Sequence, residues 1–183
     1  WEFFCVTITQ LIKLAMPVLV AIDANQKIFG LNDYLIRDQI NFVWYNMIKR
    51  VEKNLEESRN KTTINYCTLN ENFDHLNERS NSKEELTIQE PLKWVSIKQK
   101  FFTSGITSEK GFNNCNLSIL PNNIDNDFVK LAVLDLKIPV LDLLQEKANF
   151  NFYFGPNIYE ELDIIAPKFS KNVFFGWPII SSI

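Results

Sequence analysis

Lys93-Trp94-Val95-Ser96-Ile97-Lys98-Gln99-Lys100-Phe101-Phe102 is the stretch on which the reading of the fold turns. Trp94, Ile97 and Phe101 would share one face of a helix, while Val95, Ile97 and Phe101 would share one face of a strand. Periodicity alone therefore leaves the element open. The β-branched and aromatic content favours a strand, closed by Phe101-Phe102 ahead of a break at Thr103-Ser104-Gly105. Lys98, Gln99 and Lys100 interrupt the large aromatics, an unusual composition for a core strand.

Strand-like alternation continues on both sides of this run. Ile40, Phe42 and Trp44 fall on one face with Asn41 and Tyr45 opposite, and Thr62, Ile64 and Tyr66 alternate with Thr63, Asn65 and Cys67. Leu134, Leu136 and Ile138 alternate with Asp135 and Lys137 up to Pro139. Phe150, Phe152 and Phe154 alternate with Asn149, Asn151 and Tyr153, and this aromatic stripe reads as core. One buried and one wet face per strand is the habit of antiparallel sheets. Polar stretches separate the strands. Residues 49–61 read as a short solvated helix or an exposed loop, and 120–127 as a turn. In 77–91, Ser82 and Glu85 have capping-box spacing, which allows a helical turn. Gly155 ends the Phe-rich strand, Pro156 suits a first helical turn, and Tyr159 with Leu162 forms an apolar i,i+3 pair before a second break at Pro167.

The 183 residues suffice for one domain with a real core, and 46% hydrophobic with 22% charged residues excludes a disordered tail. A net charge of −3 without a basic stripe argues against nucleic-acid binding. Cys5, Cys67 and Cys115 form no CxxC pair, and His75 is the sole histidine, so a zinc site is not expected. Buried free thiols are the preferred reading, with a Cys67–Cys115 disulfide as the alternative in an oxidising compartment. A chain starting at Trp1 reads as a fragment. Val6 to Ile22 is apolar, but Lys13 and Pro17 interrupt it, so it reads as a buried strand or helix rather than a membrane span. Phe174-Phe175-Gly176-Trp177-Pro178-Ile179-Ile180 reads as a segment stopping short of something it packs against or inserts into.

Chemistry-bearing constellations are scarce. Only 5 glycines and no GxGxxG or P-loop run leave nucleotide binding without support. Nothing near His75 completes a triad, so a surface or strand-end histidine is expected there. The acid pairs Glu56-Glu57, Glu84-Glu85 and Glu160-Glu161 point different ways on a helix or strand and read as solvated. Asn60-Lys61-Thr62 and Asn116-Leu117-Ser118 match the glycosylation tripeptide, which arises often by chance. No catalytic, cofactor or metal residue is assigned.

Two anchors in fixed order carry a resemblance: the Lys93–Phe102 run, and Phe152-Tyr153-Phe154-Gly155-Pro156-Asn157 followed by Tyr159 and Leu162. Between and around them, Arg59 to Tyr66, Leu76 to Ser80, Phe128-Val129-Lys130, Leu134 to Pro139 and Gly176-Trp177 fit the same order. Together they resemble the large periplasmic domain of the YidC family of membrane protein insertases, over roughly Ile28 to Ile183. The resemblance implies a mostly β fold, a β-supersandwich of the galactose mutarotase-like kind with short C-terminal helices. Residues 1–27 stay unassigned, 28–172 form part of the periplasmic sandwich, and 173–183 begin the connection to the membrane-embedded core.

It further implies that Trp94, Lys98, Gln99, Phe101, Phe102, Phe152, Phe154, Gly155, Pro156, Tyr159, Gly176 and Trp177 are scaffold positions of the family's motifs. The implied role is non-catalytic support and docking at the bacterial inner membrane, on its periplasmic side. The implied partners are the Sec translocon, nascent inner-membrane proteins and the bilayer surface near the C-terminus. The same fold leaves two other readings open, a mutarotase-like sugar-active enzyme and a carbohydrate- or peptide-binding module. His75 alone cannot supply the acid–base pair of the former.

Overall fold

The computed structural model describes residues 39–145 and 149–173. Eight antiparallel strands follow in the order β1 (Gln39–Lys49), β2 (Thr63–Thr68), β3 (Phe73–His75), β4 (Glu84–Ile88), β5 (Leu92–Lys98), β6 (Phe102–Pro121), β7 (Phe128–Pro139) and β8 (Phe150–Pro156). Three short helices, α1 (Leu55–Asn60), α2 (Val140–Leu144) and α3 (Tyr159–Asp163), and a 3₁₀ turn at Phe169–Asn172 complete the described elements.

The long strand β6 joins two sheets. Its first half pairs with β5 and β8, and its second half with β7 and β4. Sheet I is thus β1-β7-β6-β4, and sheet II is β3-β2-β5-β6-β8. The change of sheet happens where β6 bends. Gly111 sits at φ +88°, a conformation a side chain would strain, and the pairing register slips nearby between Leu92 and Trp94 and between Asn113 and Asn116.

Between the sheets lies the main core. Ile64, Val95, Ile97, Ile106 and Phe150 from sheet II meet Leu117, Ile119, Ala132, Leu134, Leu136 and Ile138 from sheet I. The fold is therefore mostly β and antiparallel, as the alternation predicts, and sandwich-like, as the resemblance implies. Strand β7 carries the alternation back past Leu134 to Ala132 and Lys130, and Val129, buried but out of phase, sits where the pairing with β1 slips between Ile48 and Lys49.

Several local expectations need correction. The chain reverses at Gln99–Phe101, closed by a Gln99 N–H donated to Phe102 O (2.8 Å), and Thr103-Ser104-Gly105 lies inside β6. Gly105 serves close packing rather than a turn, because a Cβ there would stand 2.9 Å from Phe169 Cζ and 3.1 Å from Ser96 Cβ. Ser82 caps no helix: residues 84–88 are strand β4, whose Leu86 and Ile88 pack on the core while Glu85 and Thr87 face water. Pro156 is the last residue of β8, and α3 starts after Ile158.

Residues 49–61 do contain a helix, α1, capped by Asn54 Oδ1 accepting from Glu57 N (3.1 Å). The Phe stripe of β8 is core only at one end. Phe150 is buried, Phe152 half-buried, and Phe154 66% exposed, because β8 is an edge strand of sheet II among the described residues. On its other face Tyr153 is buried. Cys67 and Cys115 are both free and buried. Cys5, the Val6–Ile22 run and residues 174–183 lie outside the described residues.

Candidate functional site

The two motif stretches meet in space. Asn157, just past β8, clamps the β5–β6 turn from the side. Its N–H donates to Phe101 O (2.8 Å), its Nδ2 to Gln99 O (2.8 Å) and Lys100 O (3.3 Å), and its Oδ1 accepts from Thr103 Oγ1 (2.6 Å). From the opposite side Lys100 forms ion pairs with Glu52 (2.5 Å) and Glu57 (2.7 Å). These pairs raise the Lys100 pKa, Glu52 contributing most, and Lys100 in turn lowers that of Glu57. Gln99 Nε2 donates to Lys49 O (3.1 Å). A turn fixed on both flanks presents Phe101 and Phe102 to solvent at 52% and 48% exposure, with Tyr159 close in sequence to the clamp and also exposed.

Over the outer face of sheet II runs a strap made of α3, the Pro167 bend and the 3₁₀ turn. The face beneath it is built row by row. Asn65, Ser96, Gly105 and Tyr153 are register partners across β2, β5, β6 and β8, and Cys67, Trp94, Thr107 and Asn151 form the next row. Phe169 of the strap fills the hollow over Gly105, 4.9 Å from the Trp94 ring and 5.9 Å from that of Tyr153 by centroid, both edge-on. With Cys67, Leu162 and Ala166 these rings make a second, smaller core. Burial raises the Cys67 pKa and pushes that of Tyr153 up to about 12, with Glu161 adding to the latter.

Hydrogen bonds fix the strap's position. Trp94 Nε1 donates to Pro167 O (2.9 Å). Asn172 Oδ1 accepts from Asn65 Nδ2 (2.9 Å) and Ser96 Oγ (2.7 Å), while its own Nδ2 donates to Phe169 O (2.8 Å). Lys168 Nζ donates to Glu71 O (2.5 Å), and Lys171 Nζ stands 4.7 Å from the centre of the Phe73 ring. Gly155 leaves room for Tyr153, whose hydroxyl would lie 2.6 Å from a Cβ at 155 and donates instead to Pro156 O (2.6 Å).

The motif positions thus divide by role. Trp94 is fully buried as the strap's anchor. Lys98 is buried with its ammonium 3.3 Å from Glu78 Oε1. Gln99, Gly155 and Pro156 shape the clamped turn and the Tyr153 fit. Phe152 lines the rim of the main core with Phe42 and Trp44, while Phe101, Phe102, Phe154 and Tyr159 are exposed rather than core. Gly176 and Trp177 lie outside the described residues. Sequence reading passes over Asn65, Ser96, Phe169 and Asn172. The signal that could find them is polar residues facing the side of β2 and β5 that Cys67 and Trp94 also occupy.

His75 ends β3, as expected of a strand-end histidine, with Nδ1 2.9 Å from Leu76 O. It lines an open polar cleft of about 650 Å³ together with Asn54, Glu57, Lys61, Glu78 and Arg79. Among the described residues, no group of three or more His, Cys, Asp or Glu side chains is placed to hold a metal ion, and no helix is long and apolar enough to cross a membrane.

What this geometry defines is an antiparallel β-sandwich across one sheet of which residues 158–173 are strapped. The chain belongs to the YidC periplasmic domain family, whose model matches residues 40–183. It is 43% identical over 164 residues to the membrane protein insertase YidC of Amoebophilus asiaticus, a match covering 89% of this chain and 28% of that protein. It is 32% identical over 173 residues to the membrane protein insertase YidC of Cytophaga hutchinsonii, covering 88% of this chain and again 28% of the relative. The chain thus spans little more than a quarter of the length of these relatives, as a domain on the periplasmic side of the inner membrane.

Proposed function

We propose that the domain is the periplasmic support and docking module of a membrane protein insertase and makes or breaks no bonds itself. Its partners are inner-membrane proteins in the course of insertion and components of the Sec translocon, with the bilayer surface close to residues 174–183. The observation that carries this reading is the position of the strap. It ties the last described residues to sheet II directly ahead of Phe174-Phe175-Gly176-Trp177, and tryptophan favours the membrane–water interface. The family match supplies the class of machine, since relatives that contain this domain are membrane protein insertases.

Rescue of insertase-depleted cells tests the reading. Full-length protein lacking residues 30–150 is expected to insert simple substrates still, while disruption of 156–183 is expected to do more harm. Equal rescue by both deletions would sink the ordering. Photo-crosslinkers placed at Phe101, Phe102 or Tyr159 are expected to capture a Sec component; if they capture none while controls elsewhere on the same protein do, this turn is not the docking face.

A further inference from the structure

We propose that the strap, residues 158–173, is a latch that opens as a unit while the two-sheet sandwich beneath it stays folded. The reading goes beyond the support role and does not depend on which partners the domain has.

The bonding pattern separates strap from sandwich. Among the described residues, the strap's backbone hydrogen bonds close on itself or on Pro156: Leu162 N to Ile158 O, Ile165 N to Leu162 O, Phe169 N to Ala166 O, Lys171 N to Lys168 O and Val173 N to Ser170 O. Its ties to the sheet are side-chain bonds and the small aromatic core around Phe169. Opening therefore breaks no ladder of β-sheet hydrogen bonds, and the strap carries its own backbone bonds away with it.

Part of what opening uncovers is suited to water. Beside the aromatic patch of Trp94, Tyr153 and Cys67, whose burial favours the closed state, the strap covers Asn65 and Ser96, the polar pair that Asn172 holds, with Thr107 in the next row. Thr63, Lys98 and Thr103 are bonded to Leu76, Glu78 and Asn157 outside the strap. Apolar residues in place of Asn65, Ser96 and Thr107 would make exposure costlier. Two features of the closed state also weigh against it. Asn65 Oδ1 is buried without a hydrogen-bond partner and would regain water on opening. Lys168 is held at φ 62° and ψ 10°, the left-handed region that a lysine leaves when unconstrained. Against these stand the Phe169 fit over Gly105 and the Asn172 clamp, which keep the latch shut. The balance gives two discrete states rather than a graded one, because Phe169 either occupies the Gly105 hollow or does not. Since residues 174–183 continue from Val173, opening lengthens the tether between the sandwich and whatever follows.

Hydrogen exchange on the full chain reads this directly. In the unmodified protein, amides of Leu162, Phe169 and Lys171 are expected to be protected, yet to exchange on the order of a hundred-fold faster than those of β5. Asn172→Ala should speed strap exchange about ten-fold further and leave β5 unchanged. Strap amides as slow as β5 would overturn the latch, since strap and sandwich would then open together. Strap amides without protection would overturn it equally, since a latch must close. If Asn172→Ala fails to fold, the profile of the unmodified protein decides alone.

Discussion

On the outer face of sheet II, Asn65, Ser96, Thr103 and Thr107 lie buried on the strapped side, whereas on the outer face of sheet I Val43, Tyr45, Met47 and Leu120 stand 41%, 69%, 52% and 44% exposed. The exposed set is contiguous in register. Met47 pairs with Leu131 and Leu131 with Leu120, while Tyr45 pairs with Val133 in the next row on that face. If burial simply followed hydrophobicity, the strap would lie on sheet I. It lies on sheet II because hydrogen bonding and shape select the site. The Asn172 clamp needs the amide of Asn65 and the hydroxyl of Ser96 in one row, and Phe169 needs a glycine where β6 passes beneath it. Specific polar partners fix where a segment docks, and a few buried rings supply most of the attraction.

The strongest way to break this comparison is to remove the ring on which the strapped face depends. Trp94→Ala deletes a fully buried side chain that packs on Phe169 and Phe73 and holds Pro167. A loss of about 3–5 kcal/mol is expected in urea unfolding of the domain. Trp94→Phe keeps most of the packing and gives up the Pro167 bond, so it should recover most of that loss. Equal destabilisation by the two variants would show that the bond, rather than the ring, holds the strap.

A second buried polar tie lies between the sheets instead of beneath the strap. Lys130, at 1% exposure on β7, donates from Nζ to Thr62 O and Glu78 O (both 2.8 Å), joining sheet I to segments flanking sheet II. Burial lowers its pKa from 10.5 to about 8, with Glu78 opposing the shift. Between those values the unfolded chain binds more protons than the folded one, so Lys130 makes stability rise with pH. Cys115 acts with the opposite sign. Burial raises its pKa from 9.0 to about 12, so over that range the folded state holds the proton and stability falls. The net rise is therefore confined to about pH 8–9, at up to about 1.4 kcal/mol. Lys130→Met should abolish the rise, as seen in urea midpoints across that window. A rise that survives the substitution would assign the titration elsewhere.

How much of this was legible in the sequence follows from the range of the interactions. The alternation of Leu134, Leu136 and Ile138, or of Ile40, Phe42 and Trp44, is local, and it gave strands with the correct inward faces. The turn-like composition of Thr103-Ser104-Gly105 points the β5–β6 reversal to the wrong place, because Gly105 answers to Phe169, 64 positions on in the numbering. A continuous Phe stripe predicts core at Phe154, whereas its exposure depends on β8 lying at the edge of the described sheet. The clamp of Asn65, Ser96 and Asn172 spans distant segments, and no spacing rule brings its members together. The two motif stretches were visible as separate anchors, but their junction at Asn157 required the fold.

The exposed apolar face of sheet I offers the finest test. Tyr45 and Met47 lie on β1, an edge strand among the described residues, pointing away from the main core that Phe42 and Trp44 join. If water covers this face in the working protein, Tyr45→Ser with Met47→Ser should change unfolding stability of the isolated chain by no more than about 0.5 kcal/mol, the range of ordinary surface substitutions. The same pair placed in the full-length protein should then be equally silent in the rescue assay. A variant silent in the isolated chain but defective in the longer protein would mean that the face is covered there. The contrast between the two faces would then be one of order, with sheet II covered from within this chain and sheet I from outside it. A loss well above 0.5 kcal/mol in the isolated chain would instead show that the face is already packed, and that its side chains are worth more than their exposure implies.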